Sequence, residues 1–285
     1  MVAIFYFVPP FVQARWEAFL GLSDIRTLIF VTNFLIGTLF FYFINLVMMC
    51  IYKAKHPFFE QYRTTTRPWP WDEDPEAWNK KIKKVLLVMV FNTAITGPLI
   101  SLLDIIPEKL PMSYDLASFP SAIEIILHLI VCMIVEDFCF YWSHRTLHSK
   151  FLYKHIHKKH HEFVVPVSIA SHYAHPLEFI FGNVLPYGMG PLILGTKMHF
   201  FTRICWGILR LTETANGHSG YEFPWAPFTL MPFSGSAQYH GYHHTTNLGN
   251  YSTFFTVWDT VFGTNKHYLK YMANKSKKEA QKKQE

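Results

Sequence analysis

Residues 27–52 read TLIFVTNFLIGTLFFYFINLVMMCIY, 26 residues without a charged side chain. A helix needs about 20 apolar residues to cross the hydrocarbon of a bilayer, so this stretch predicts a membrane span. Working outward, Val85 to Ile106 is a second candidate, softened by Asn92, Pro98 and Asp104. Ala122 to Trp142 is a third, and it carries Glu124, His128, Glu136 and Asp137. Leu177 to Leu211 is a longer apolar block, interrupted by Gly182, Pro186, Gly188, Gly190, Pro191 and Gly195. Breakers in mid-block predict a helical hairpin that enters the membrane and returns. The expectation is an all-α integral membrane protein: three transmembrane helices, a membrane hairpin over 177–211 and a cytosolic helical cap.

The composition agrees. Of 285 residues, 50% are apolar and only 16% charged, and the mean hydropathy is +0.11. Disorder and low-complexity architectures are excluded by that apolar content. Four cysteines without a C-x-x-C exclude a disulfide scaffold and read as buried thiols. The net charge is +6, and residues 266–285 hold seven Lys against two Glu. The imbalance therefore belongs to a tail, read as a solvated, flexible segment beside anionic lipid. Nucleic-acid binding would need basic residues spread over a folded groove, and is not expected.

Sidedness follows from basic residues in the loops. Residues 53–84 carry Lys53, Lys55, Arg63, Arg67, Lys80, Lys81, Lys83 and Lys84, whereas 107–120 carry only Lys109. The former segment is then cytosolic, the latter lumenal, and everything after Trp142 returns to the cytosol apart from the hairpin. The first 20 residues lack a basic leader region, which argues against a cleaved signal peptide. Lys282-Lys283-Gln284-Glu285 is similar to a dilysine retrieval signal of the endoplasmic reticulum membrane. The chain reads as a single integral domain, 1–285, with spans over 27–142, a catalytic region over 143–265 and a basic tail over 266–285.

Histidine is the other anomaly. Of 16, only His56 and His128 precede residue 140. Three boxes stand out: His144-x-x-x-His148, His157-x-x-His160-His161 and His240-x-x-His243-His244. Residues three and four apart share a helix face, so each box is expected to aim its imidazoles at one point. Core packing has no use for imidazole repeated at helical spacing, and the reading is a metal site. Eight ligands exceed the three or four that one zinc takes, and H-E-x-x-H is absent. A bis-imidazole haem would need only two. Two ions sharing the set fit the count, with Fe, Cu, Ni and Zn all compatible with imidazole.

The boxes, in this order and among membrane spans, resemble those of the fatty acid hydroxylase/sterol desaturase superfamily. The segments HKKHHEF (157–163), YAHPLE (173–178), ETANGHSGY (213–221) and WDTVFGT (258–264) are similar to C-4 methylsterol monooxygenases, over about Glu136 to Thr264. The resemblance implies two non-haem iron ions, O2, and electrons from NAD(P)H through cytochrome b5 and its reductase. It implies stepwise oxidation of a sterol C-4 methyl group to alcohol, aldehyde and carboxylate in sterol biosynthesis. By match to the boxes, His144, His148, His157, His160, His161, His240, His243 and His244 are ligands, with His218 of the HSG motif a ninth. His175 matches as well, as ligand or structural residue. Neutral imidazoles leave the metal charge uncancelled, unlike carboxylate bundles in which Glu bridges.

Ligated imidazoles need their other N–H held. Asp137, Tyr141, His144 and His148 form one helical stripe, which makes Asp137 a candidate for that task; the alternative is a buried partner for Arg145 or Arg210. Glu178, three after His175, could orient that ring. Glu213 could pair with Arg210, and Glu124 with His128. His172 is read as a local feature, His155 as pointing away from box two to solvent or headgroups, and His56, His199 and His267 as surface or interfacial. Lys150, Lys154, Lys158 and Lys159 could meet lipid headgroups or an acidic electron donor. No substrate-pocket residue can be named. Two other functions remain in view: a fatty-acyl, sphingoid or other sterol hydroxylase or desaturase, and a non-catalytic metal-binding subunit of a membrane complex.

Overall fold

A computed structural model describes residues 10–105 and 111–282. The N-terminal nonapeptide, Lys109 and the dilysine pair's Lys283-Gln284-Glu285 end lie outside them. Among the described residues every regular element is helical, and three helices are long and apolar enough to cross a membrane: Ile25–Ala54, Pro75–Leu99 and Pro176–Lys197. An all-α membrane protein is what the sequence predicts, but the third crossing helix is a limb of the expected hairpin. The Ala122–Leu147 helix forms as expected and is not one of the three. Its buried face carries Glu136, Asp137, Tyr141 and His144, so it serves the protein interior.

Local chemistry sets the boundaries. Asp24 accepts from the backbone N–H of Arg26 and Thr27 and starts the first span. That span runs through a π-turn, Ile36–Phe40, into Phe41–Ala54 and stops at Lys55, which is left-handed at φ 45°. Ser121 and Glu124 form a capping box on the Ala122–Leu147 helix. The capping box, rather than His128, takes the Glu124 carboxylate, which receives the N–H and hydroxyl of Ser121 at 2.7 and 2.6 Å.

The hairpin is present. Its first limb runs through a π-helix, Phe179–Val184, into Leu185–Leu194, and turns at Gly195. The return limb is Phe200–Gly217, capped by His199 through the N–H of Phe201. His199 is therefore 1% exposed, not superficial; its ring also meets the Asp115 carbonyl at 3.1 Å. The first limb lies close against Ala122–Leu147, where a Cβ on Gly190 would come within 2.7 Å of Cys132 Cα. Polar groups within the apolar stretches pair with each other: Arg203 meets Asp104 at 2.7 Å, and Asn33 donates to the same carboxylate at 3.2 Å. In hydrocarbon no water would satisfy them.

The histidine boxes lie outside the three helices long and apolar enough to cross a membrane. Box two is a 3-10 helix, His157–Glu162, and box three an α-helix, Ala237–Thr246. The end of the first span reaches the HSG motif, with Tyr52 donating to the Ser219 carbonyl at 2.8 Å beside His218, and Lys81 donates to the Glu162 carbonyl at the end of box two at 2.6 Å. The basic tail is not a loose segment through Lys282. It is a helix, Lys266–Lys282, tied to box three by Tyr268 rings at 4.8 Å from Tyr239 and 5.4 Å from Tyr242.

Two glycines in one helix test the close approach. Gly190→Ala forces backbone against backbone and should cost about 1–3 kcal/mol, as overpacking does. Gly188→Ala, with nothing within 4 Å of the new methyl, should be neutral or stabilising by up to about 1 kcal/mol through helix propensity. Thermal unfolding in detergent reads the two opposite shifts.

Candidate metal centre

The nine histidines from the boxes and the HSG motif gather into two adjoining sets. His144, His148, His157, His161 and His243 form one, and His160, His218, His240 and His244 the other; within each set the ligand atoms lie within 4.8 Å of one another. The boxes do not each converge on one point. In every box the i and i+4 rings share a set, while the i+3 ring of boxes two and three crosses to the other set. Neighbouring side chains diverge by about 100° on a helix, so His160 and His161, like His243 and His244, are aimed apart. The sets touch where the His161 and His244 rings stack at 4.7 Å.

Every set is built from Nε2 atoms. His157 Nε2 lies 3.2, 3.0 and 3.0 Å from those of His144, His148 and His161, and His243 Nε2 is 3.1 Å from those of His148 and His161. In the second set the spacings are 3.2 Å for His160–His218, 3.0 Å for His218–His240 and 3.1 Å for His240–His244. Nitrogens about 2.1 Å from a metal lie about 3.0 Å apart at right angles and about 3.4 Å apart at a tetrahedral angle. The spacings fit donors that converge on a common ion, and five donors in one set exceed the four that structural zinc takes. The donors fit two transition-metal ions, His144, His148, His157, His161 and His243 holding one and His160, His218, His240 and His244 the other.

What aims the Nε2 atoms is the grip on Nδ1. His144 Nδ1 lies 2.8 Å from the Tyr251 carbonyl, His218 2.9 Å from that of Thr214 and His244 3.2 Å from that of Phe163. The Gly249 carbonyl takes His243, and Glu178 takes His157 at 2.8 Å. A carbonyl or carboxylate only accepts, so Nδ1 must carry the proton and Nε2 the lone pair. Burial, then the neighbouring imidazoles, holds His157, His240 and His244 well below the ordinary histidine range. Neutral rings are the form that binds metal.

Sequence reasoning placed some of these supports elsewhere. Glu178 serves His157, not His175, because the short Pro176–Glu178 helix directs it inward at 4% exposure. His175 belongs to neither set; it is the N-cap of that helix, accepting from Leu177 N–H at 3.2 Å. Asp137 touches no imidazole and pairs with neither Arg145 nor Arg210. One of its oxygens accepts from the N–H groups of Thr253, Phe254 and Phe255 at 3.1, 2.8 and 3.2 Å. Asp259 holds the preceding turn, accepting from Tyr251 and Ser252 N–H at 2.9 Å each. Between them the two aspartates fix the segment whose carbonyls grip His144 and His243. Gly249 sits in that segment at φ +63°, and a Cβ there would lie 1.7 Å from the Thr264 carbonyl oxygen.

Glu213 does pair with Arg210, at 2.9 Å, and also accepts from Thr253 at 2.8 Å. Glu136, read only as a charge in a span, completes the buried group on the other side of Arg210. Glu136, Asp259 and Tyr251 were missed as site residues; the WDTVFGT segment was the one available signal for Asp259.

Two cavities adjoin. The inner one lies under the imidazoles and is lined by His144, His157, His160, His218 and His240 among others. The outer one lies between the membrane helices, about 880 Å³ of atom-free space that is partly open to the outside. Asn183 and Thr214 line both. Glu178→Ala should therefore lower metal affinity about 10- to 100-fold by freeing His157. Glu178→Gln, which keeps an acceptor, should lose much less; metal retained against a chelator series measures both.

A sequence model of the fatty acid hydroxylase family matches residues 129–264. Methylsterol monooxygenase 2-2 of Arabidopsis thaliana is 35% identical over 263 residues, 90% of this chain and 93% of that protein. Methylsterol monooxygenase 2-1 of the same plant is 35% identical over 240 residues, 79% of this chain and 84% of that protein. A very-long-chain aldehyde decarbonylase of Oryza sativa is 43% identical over 156 residues, 54% of this chain and a little over half, 57%, of the rice protein. No solved structure matches. With one such relative aligned over nearly its whole length, the chain belongs to the fatty acid hydroxylase family and is a relative of its methylsterol monooxygenases.

Proposed function

We propose that the chain is a membrane-bound non-haem di-iron oxygenase that oxidises a C-4 methyl group of a sterol, in three successive steps, to the alcohol, aldehyde and carboxylate. The convergence of nine Nε2 atoms, from eight buried histidines and the half-buried His148, beside a cavity that opens between membrane helices carries this reading. With iron bound, the centre supplies reduction of O2 by two electrons and two protons, placing one oxygen atom in a C–H bond and releasing the other as water. The residues of the chain do the rest. Carbonyls and Glu178 hold the imidazoles in one tautomer. The outer cavity takes the lipid from the bilayer, and the inner one brings its reacting carbon under the rings. Phe140, Leu147 and Gly182 line that inner space with apolar surface and limit water.

The sterol assignment draws on the relatives that align over most of the chain, which are named for it. The shorter alignment to an aldehyde decarbonylase favours, as second reading, an acyl substrate at the same centre. Electrons come from NAD(P)H through cytochrome b5 and its reductase. Lys150, Lys154, Lys158 and Lys159, in and beside box two, meet anionic headgroups or an acidic donor. Location is the endoplasmic reticulum membrane with the boxes and C-terminus cytosolic.

Purified chain should hold about two metal ions, mostly iron, and consume O2 with a 4-methylsterol, NAD(P)H, reductase and b5-type donor. A single zinc, or fixed copurification with membrane subunits and no oxygen consumption, overturns this. His157→Ala and His243→Ala should each abolish oxidation while the spans still insert, and loss of the gene should raise 4-methylsterols. Sidedness has its own reporter. Asn274-Lys-Ser is an exposed glycosylation sequon and should stay bare, whereas a sequon engineered into residues 113–118 should gain a glycan. Asn250-Tyr-Ser reports nothing, since Asn250 is 0% exposed and its amide donates to the Tyr239 carbonyl.

A further inference from the structure

The outer cavity is apolar but for a few groups, and most of those are already satisfied. Arg203 is neutralised by Asp104, Arg210 by Glu136 and Glu213, and Asn33 donates to Asp104. Among the described residues the cavity therefore offers no free cation to a carboxylate or phosphate. Two other groups are left. His172 is 6% exposed, stacks on Phe41 at 3.7 Å and 12°, and has a buried Nδ1 without a hydrogen-bond partner. The side-chain amide of Asn183 makes no hydrogen bond among the described residues and lies in the π-helix of the first limb, a distortion common where a helix presents a functional side chain.

These two groups share one end of the cavity. The His172 ring lies 5.0 Å from Phe179, which is about one turn before Asn183. Asn183 lines both cavities, and Ser171 lines the inner one while His172 lines the outer one. The pair thus marks the passage to the imidazoles. Burial and the nearby Arg210 push the His172 pKa down to about 3, so the ring is neutral and, like the amide, both donates and accepts. For the buried Nδ1 of His172 the missing partner is costly unless a ligand supplies one, and the half-buried Asn183 amide is open to the same ligand. Two neutral donor-acceptors at the inner end of an apolar cavity call for a neutral donor-acceptor on the ligand, which is an alcohol.

We propose that His172 and Asn183 receive the hydroxyl of an otherwise apolar lipid alcohol, and so set the carbon beside that hydroxyl under the metal centre. The inference rests on the sterol reading above and sharpens it: the ring hydroxyl neighbours the C-4 position, and a fatty-acid anion has no counter-charge here. His172 and Asn183 are positioning and specificity residues; the oxidation itself belongs to the imidazole centre.

The test pairs a change in substrate with a change in protein, using the full chain in phospholipid vesicles. Binding and turnover of a 4-methylsterol are compared with those of its 3-deoxy analogue. Wild type should favour the alcohol at least tenfold in Kd and KM, the scale of about one buried hydrogen bond. His172→Phe, which keeps the stack on Phe41, and Asn183→Leu should each raise KM and Kd for the alcohol about tenfold and leave the deoxy compound nearly unchanged, so the preference collapses. Equal binding of both compounds by wild type overturns the inference and leaves the sterol reading standing. Equal weakening of both compounds in the two variants also overturns it, because the residues are then structural. A wild-type chain that oxidises an acyl substrate and no sterol overturns both.

Discussion

A buried imidazole can donate one proton and offer one lone pair, and the structure depends on which nitrogen does which. Nine rings share two small volumes, and their Nε2 atoms lie about 3 Å apart. Protonated rings could not be packed in this way, since like charges at that distance in a low-dielectric interior repel strongly. Neutral rings can, provided the proton is kept on Nδ1. On His144, His218, His243, His244 and His157 the carbonyls of Tyr251, Thr214, Gly249 and Phe163 and the carboxylate of Glu178 keep it there. The requirement then spreads outward. A carbonyl grips a ring only if its own backbone is fixed, and Asp137 and Asp259 fix the segment concerned with five N–H bonds between them.

The same interlocking ties the boxes together. Box two gives two ligands to one set and one to the other, and box three does the reverse. Neither set can form from one helix, so the metal positions and the packing of the cap are one problem. The buried ionic group of Glu136, Arg210, Glu213 and Thr253 links the Ala122–Leu147 helix and the return limb of the hairpin to the Asp137-held segment. Taking one partner from such a group leaves an uncompensated buried charge, which typically costs about 3–5 kcal/mol.

Much of the architecture was legible from hydropathy, because a bilayer imposes a length on every span and a helix on every backbone. The first span and the helical hairpin both follow from that. The nine ring-bearing positions were legible from their spacing and motifs. The errors share a cause. Asp137 was placed beside a ring because it shares a helix face with His144, and Glu178 beside His175 because it lies three residues on. A helix face says which way a side chain points, not what chain lies across from it. In the folded protein a distant loop faces Asp137, and box two faces Glu178.

The sequence by itself determined the membrane class, the all-helical backbone and the histidines that cluster, since these depend on composition, on short motifs and on periodicity within one segment. Only the tertiary structure decided how the rings divide into two sets, which carbonyls hold their protons, and where the outer cavity meets them. Those features join residues far apart in the chain, such as His144 and Tyr251, separated by 107 positions. Contacts of that span are set by how separate helices pack, and no local spacing encodes them.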